Sequence, residues 1–128
     1  MANDLLADAL NTIKTHEHFG KPTCEVHPSK LVRETLKILQ ARGFIGDFEF
    51  VDDGKSGQSR IKLLGKVNKC GAIKPRYPIK GTQWNEWEQK YIPGVGFGIL
   101  IVSTSSGLMS NEEAKQKGLG GRLLAFVY

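Results

Sequence analysis

The chain has 128 residues, of which 40% are hydrophobic and 24% charged, a globular mixture that excludes a disordered chain and sets an upper bound of one compact domain or two small modules. No stretch approaches the roughly 20 apolar residues of a membrane helix, and the first segment carries Asp4 and Asp8 without a basic leader, so the expectation is a cytoplasmic protein with no signal peptide. The net charge of +5 is unevenly placed: residues 1–64 hold nine basic against nine acidic residues, whereas residues 65–128 hold nine against four. Eight basic residues and no acid lie between Gly54 and Asn85, and a field of one sign attracts a polyanion.

Taken in chain order, residues 3–16 read as a helix with Leu6, Leu10 and Ile13 on one stripe, a cap at Asn3 or Asp4, and an end at Gly20 and Pro22. Residues 23–27 can form a short strand. Ser29 then caps a second helix whose apolar stripe is Val32, Leu36 and Leu39; Lys30, Arg33 and Lys37 gather on the opposite face, and Gly43 supplies the left-handed stop. Phe44, Phe48 and Phe50 alternate with Asp47 and Glu49, and Ile61 and Leu63 alternate with Arg60 and Lys62. This is a hairpin pattern around the glycine-rich turn Asp53 to Gly57, with acids on one strand facing bases on the other.

Residues 65–80 are broken by Gly65, Gly71, Pro75 and Pro78 and read as the passage between modules and the start of the second, with Pro75 and Pro78 favouring an extended backbone. Trp84, Trp87 and Tyr91 fall at i, i+3 and i+7, the spacing of a short helix or a packed loop ended by Pro93. Phe97 to Ser103 is an apolar run of strand length. Ser103 to Gly107 forms a polar turn, Ser110 with Glu113 is a capping box opening a short helix with Lys115 and Lys117, and residues 122–128 close the chain as a strand. The expected fold is α/β in the broad α+β sense: a helix–strand–helix–hairpin module over 1–65 and a mostly β module with a short capped helix over 66–128.

The turn at 103–107 is the strongest candidate site. Its hydroxyls can donate and accept, so they can meet base edges, ribose 2′-OH groups and phosphates, and the following helix start can add free N–H groups. The competing reading is an ordinary serine-rich turn beside a helix cap. His16, His18, Cys24 and His27 have the composition of a zinc set but lack a second ligand pair of standard spacing; no metal or cofactor is expected. Gly94, Gly96 and Gly98 are not followed by a dinucleotide-binding helix, and no histidine or nucleophile elbow accompanies the serines, so no enzyme constellation is present.

Three stretches carry a resemblance to the family of small-subunit ribosomal protein eight. Asp4 to Leu10 resembles its first helix, and Ser29 to Ile45 its second helix and following strand. Ser103-Thr104-Ser105-Ser106-Gly107-Leu108-Met109-Ser110, with Glu113-Ala114 and Gly118-Leu119-Gly120-Gly121 downstream, resembles its most specific motif. Lys69 to Tyr77 and the ending Leu123 to Tyr128 resemble the archaeal and eukaryotic branch. The resemblance implies a two-module protein, not an enzyme, that binds the central domain of small-subunit rRNA beside neighbouring ribosomal proteins. It implies that Ser103, Thr104, Ser105, Ser106 and Gly107 contact an irregular rRNA helix. Lys115, Lys117, Gly120 and Gly121 are then expected near phosphates or sugars, with Lys69, Lys74 and Arg76 supplying charge. Asn11, Lys14, Lys30, Arg33 and Lys37 are the candidates in the first module. A messenger RNA that mimics the rRNA site is a further possible partner.

Overall fold

The computed structural model describes residues 5–27, 29–51, 57–73, 77–80, 83–92 and 98–128. The expected cap at Asn3 or Asp4, the turn residues Asp53 to Ser56, Lys74 and Arg76, and the prolines Pro75 and Pro93 lie outside them. Helices and antiparallel sheets are mixed, and the chain divides into two compact units, Met1–Lys69 and Cys70–Tyr128. The division falls four residues beyond the step at Gly65–Lys66 read from the sequence. It coincides with Cys70, where the backbone enters a strand of the second unit.

The first unit begins with α1 (Leu5–His18), whose Leu6, Leu10 and Ile13 are buried. Gly20 takes φ +69°, and Gly20 N donates to Glu17 O while Lys21 N donates to His16 O. That paired pattern satisfies the last carbonyls of the helix and turns the chain into β1 (Thr23–Val26). Helix α2 (Lys30–Ala41) starts where Ser29 Oγ accepts Val32 N at 3.1 Å. It ends with the same two-bond motif, Gly43 N to Gln40 O and Phe44 N to Leu39 O, with Gly43 at φ +79°. Val32, Leu36 and Leu39 are each 1% exposed, and Lys30, Arg33 and Lys37 are exposed, so the stripe and its charged back are as the periodicity predicts.

Strands β2 (Ile45–Val51) and β3 (Gln58–Leu63) form the hairpin, and β1 joins its other side, giving the order β1-β3-β2. Glu49 on one flank and Glu25 on the other stand opposite Arg60. A bulge between Ile45 and Phe48 shifts the register, so the alternation read from the sequence does not run unbroken from Phe44. Cys24 is buried in this unit, and burial, with the carboxylates of Glu17 and Glu25, pushes its thiol up to about 11.

The second unit is a five-stranded sheet of β4 (Cys70–Ala72), β5 (Pro78–Ile79), β6 (Ile99–Thr104), β7 (Gly107–Ser110) and β8 (Gly121–Val127). The order is β4-β8-β6-β7, with β5 also on β8, so β8 is flanked by β6 on one edge and by two short strands on the other. The broken stretch 65–80, where the sequence predicts the passage between modules and the start of the second, thus contains two edge strands; Pro78 is tolerated because an edge position leaves its missing N–H unneeded. Ile99 to Val102 are all 0% exposed, which explains the unbroken apolar run. Helix α3 (Trp84–Tyr91) realises the aromatic spacing: Trp84 enters the core with Leu100, Val102, Met109 and Leu123, while Trp87 packs on Tyr77 and Tyr91 stacks on Phe126. Helix α4 (Asn111–Lys117) buries Ala114 against the same core. No described helix is long and apolar enough to cross a membrane.

Candidate nucleic-acid interface

The serine segment is not a free loop but the tip of a hairpin. Ser103 and Thr104 are the last residues of β6, Gly107 is the first of β7, and only Ser105 and Ser106 form the turn. A two-residue connection between antiparallel strands needs a backbone twist that L-residues resist. No described residue other than glycine has positive φ, and Gly107 takes φ +107°, so the glycine absorbs the twist and both serines keep ordinary backbone angles.

Thr104 locks the tip. Its Oγ1 donates to Gly107 O at 2.8 Å and accepts from Ser106 N at 3.1 Å. Its hydroxyl hydrogen is therefore committed inside the turn, whereas Ser103, Ser105 and Ser106 are exposed. The expected row of equivalent hydroxyls resolves into three that face solvent and one that holds them in place.

The helix start expected just beyond the turn is displaced. Strand β7 intervenes, and four strand residues at about 3.3 Å each put the start of α4 about 13 Å from the tip. Ser110 Oγ does cap that helix, accepting Glu113 N at 3.3 Å, but Glu113 Oε1 lies 3.4 Å from Lys117 Nζ, and Glu112 and Glu113 offset the positive end of the helix. The helix terminus thus offers no anion site next to the serines.

Gly121 has a packing reason of its own. A Cβ there would stand 2.3 Å from Ser103 O and 3.2 Å from Thr104 Cγ2, so β8 approaches β6 at the base of the serine hairpin more closely than any side chain permits. Gly120 is half-buried beside it. Lys115 is also engaged: its Nζ is 2.6 Å from Glu88 Oε1. Glu88 in turn accepts from Asn111 Nδ2, and Asn111 Oδ1 accepts Leu100 N at 3.0 Å. This chain ties α3, α4 and β6 together through Asn111, only 1% exposed. Sequence reading missed Asn111 and Glu88 because neither sits on a periodic apolar face; their one trace is an amide immediately after a cap and an acid inside an aromatic-spaced helix.

Of the other predicted residues, Lys69 is exposed, Lys117 is half exposed, and Lys74 and Arg76 lie outside the described residues. In the first unit Asn11, Lys30, Arg33 and Lys37 are exposed and Lys14 is half-buried; Lys37 Nζ lies 3.9 Å from Glu34 Oε1. Of the three histidines, His16 Nδ1 is 2.9 Å from Thr12 O and His18 meets Phe19 edge-on. Among the described residues no three metal-ligating side chains converge.

Exposed hydroxyls held rigidly at a hairpin tip, on a half-chain that carries the whole charge excess, are the make-up of a ribonucleoprotein component. The family model for ribosomal protein S8 matches residues 4–128. The small ribosomal subunit protein uS8 of Methanococcoides burtonii is 50% identical over 126 residues, covering 98% of this chain and 97% of that protein. The chain belongs to the ribosomal protein S8 family; it is a structural ribosomal protein and not an enzyme.

Proposed function

We propose that this protein is a constituent of the small subunit of the cytoplasmic ribosome that binds the central domain of small-subunit rRNA and supports assembly of the subunit. The observation that carries this reading is the β6–β7 hairpin, where Thr104 and Gly107 fix the turn and leave the hydroxyls of Ser103, Ser105 and Ser106 exposed. Folded RNA is recognised through irregular bases and 2′-OH groups, which short, rigidly held hydroxyls suit. The family membership and the small-subunit name of the Methanococcoides burtonii relative support the partner.

In this reading the segment 66–128 supplies most of the affinity, with Lys69, Lys74, Arg76 and Lys117 acting on phosphates, and the exposed face Lys30, Arg33 and Lys37 adds a weaker, sequence-independent contact. Neighbouring small-subunit proteins complete its surroundings. Footprinting the purified protein on small-subunit rRNA tests it. Protection confined to one irregular helix of the central domain, with affinity falling by about 0.7–0.9 log units per log unit of salt for each phosphate contact, is expected. Protection spread evenly over the rRNA, or a flat salt response, contradicts it.

A further inference from the structure

Two large apolar side chains of the first unit are turned to solvent: Phe19 at 68% exposure and Leu64 at 44%. They are far apart in sequence, and two hydrogen bonds bring their segments together. Leu63 N donates to Pro22 O at 2.9 Å, and Gly65 N donates to Glu17 Oε1 at 3.3 Å. The first bond joins the residue before Leu64 to the loop after Phe19, and the second joins the residue after Leu64 to the helix end before Phe19. The loop from Phe19 to Pro22 is thereby pinned alongside the end of β3. Phe19 is braced from one side by the edge of His18, ring centroids 5.3 Å apart, so its ring is held without being covered.

Three lysines and two carboxylates, those of Glu17 and Asp47, lie around this pair. Exposed Lys21 follows Phe19 by two residues and exposed Lys66 follows Leu64 by two. Lys62 and Leu64 border the same point of the surface, since the Cβ of Lys62 and the Cδ2 of Leu64 both sit 3.3 Å from the Cβ position of Gly46. None of the three lysines makes an ion pair among the described residues, whereas Glu17 is turned to Gly65 N and Asp47 accepts from Gln40. Both carboxylates accept from neutral donors, which leave their charge in place, so three lysines stand against two acids and the local excess is positive by one. Leu64 also lies within the acid-free basic run from Gly54 to Asn85.

We propose that Phe19, backed by Leu64, is a stacking platform for one unpaired base of RNA, with Lys21, Lys62 and Lys66 on the phosphates that flank it. The size of the patch selects this occupant. A stable protein partner covers about 800 Å² per side, far beyond two side chains, whereas a single base needs one aromatic face and a local positive field. The site belongs to the first unit, as the serine hairpin belongs to the second, and it rests on the proposal that the protein binds small-subunit rRNA.

The test uses the full chain, small-subunit rRNA and four variants, Phe19→Ala, Phe19→Leu, Phe19→Trp and the double change Lys21→Gln with Lys66→Gln. Loss of base–aromatic stacking weakens binding by about 5- to 150-fold, so Phe19→Ala and Phe19→Leu should both fall in that range while Phe19→Trp stays near the parent. The lysine pair should lower the salt slope by roughly 1.4–1.8, which Phe19→Ala should leave unchanged. Phe19 is exposed, so all variants should melt with the parent. Equal rRNA affinity for parent, Phe19→Ala and Phe19→Leu overturns the proposal. So does a Phe19→Ala defect seen only when other ribosomal proteins are added, which assigns the patch to a protein. Retained binding by the parent with a neutral Phe19 refutes this platform alone; a parent that binds no rRNA refutes the underlying reading as well.

Discussion

Gly121→Ala separates a packing role from an RNA-contact role at the base of the serine hairpin. The new Cβ would stand 2.3 Å from Ser103 O, about 1 Å inside the 3.4 Å at which ordinary contacts begin, and 3.0 Å from the Ser103 carbonyl carbon. Both are backbone atoms, so no side-chain rotation relieves the contact. Strand β8 must retreat from β6 by about 1 Å near the Ser103–Arg122 pair, which stretches ladder bonds beyond the roughly 3.2 Å limit of a good N–H···O bond. Overpacking costs about 1–3 kcal/mol and a lost backbone bond about 1 kcal/mol, for a total of about 2–4 kcal/mol. Both tryptophans, Trp84 and Trp87, lie in the second unit, so tryptophan fluorescence during urea unfolding reports on that unit alone. Gly118→Ala is the control: Gly118 has φ +67° with nothing within 4 Å of its Cβ position, so it should cost only the left-handed backbone penalty of about 1–2 kcal/mol. If Gly121→Ala unfolds within about 0.5 kcal/mol of the parent while losing rRNA affinity, the glycine is there for RNA and the packing argument fails.

Asn111→Ala should destabilise the second unit by about 1–3 kcal/mol in the same assay, because Leu100 N, fully buried, loses its acceptor; a neutral result would show that the amide network is incidental. Changing Lys30, Arg33 and Lys37 together to Gln should leave the melt unchanged and weaken rRNA binding without sequence preference, lowering the salt slope by roughly 0.7–0.9 per lost contact; unfolding of the triple variant would refute the face assignment. The Cys24 thiol, raised from 9.0 to about 11, binds its proton more tightly folded than unfolded. Its contribution to stability is therefore complete below about pH 9 and is lost as pH rises from 9 to 11. Alkylation of native protein at pH 8 should accordingly be far slower at Cys24 than in the unfolded chain, and equal rates would contradict its burial.

What could be seen in the sequence was local. Ser29, Gly43 and Ser110 act on backbone groups within four residues of themselves, so caps and stops could be placed from spacing alone. The i, i+3, i+7 aromatics allowed a short helix or a packed loop, of which α3 is the first, but did not show that Trp84 is buried while Trp87 is only partly so. Long-range features were hidden. Strands β4 and β5 exist because β8, some fifty residues later, supplies their partners, and nothing in Cys70–Ala72 or Pro78–Ile79 marks them as strands. The same holds inside the candidate site. The run Ser103 to Gly107 announces a polar turn, but the intervening β7, the self-bonded Thr104 and the contact that requires Gly121 depend on which backbone lies across from which. Lys115 reads as a free cation until Glu88, 27 residues earlier, is folded against it.

Titration of small-subunit rRNA with Ser105→Ala tests most directly whether the hydroxyls at the hairpin tip read RNA. Ser105 is exposed and no hydrogen bond within the turn runs through its hydroxyl among the described residues, so the melt should not move. A recognition hydrogen bond lost at a buried interface costs about 1–3 kcal/mol, so affinity should fall by roughly 5- to 150-fold. Ser110→Ala, which removes the α4 cap, should instead lose about 1 kcal/mol of stability with a smaller effect on affinity. Unchanged affinity for Ser105→Ala, together with abolished binding for Ser110→Ala, would contradict the account and move recognition from the hairpin tip to the helix.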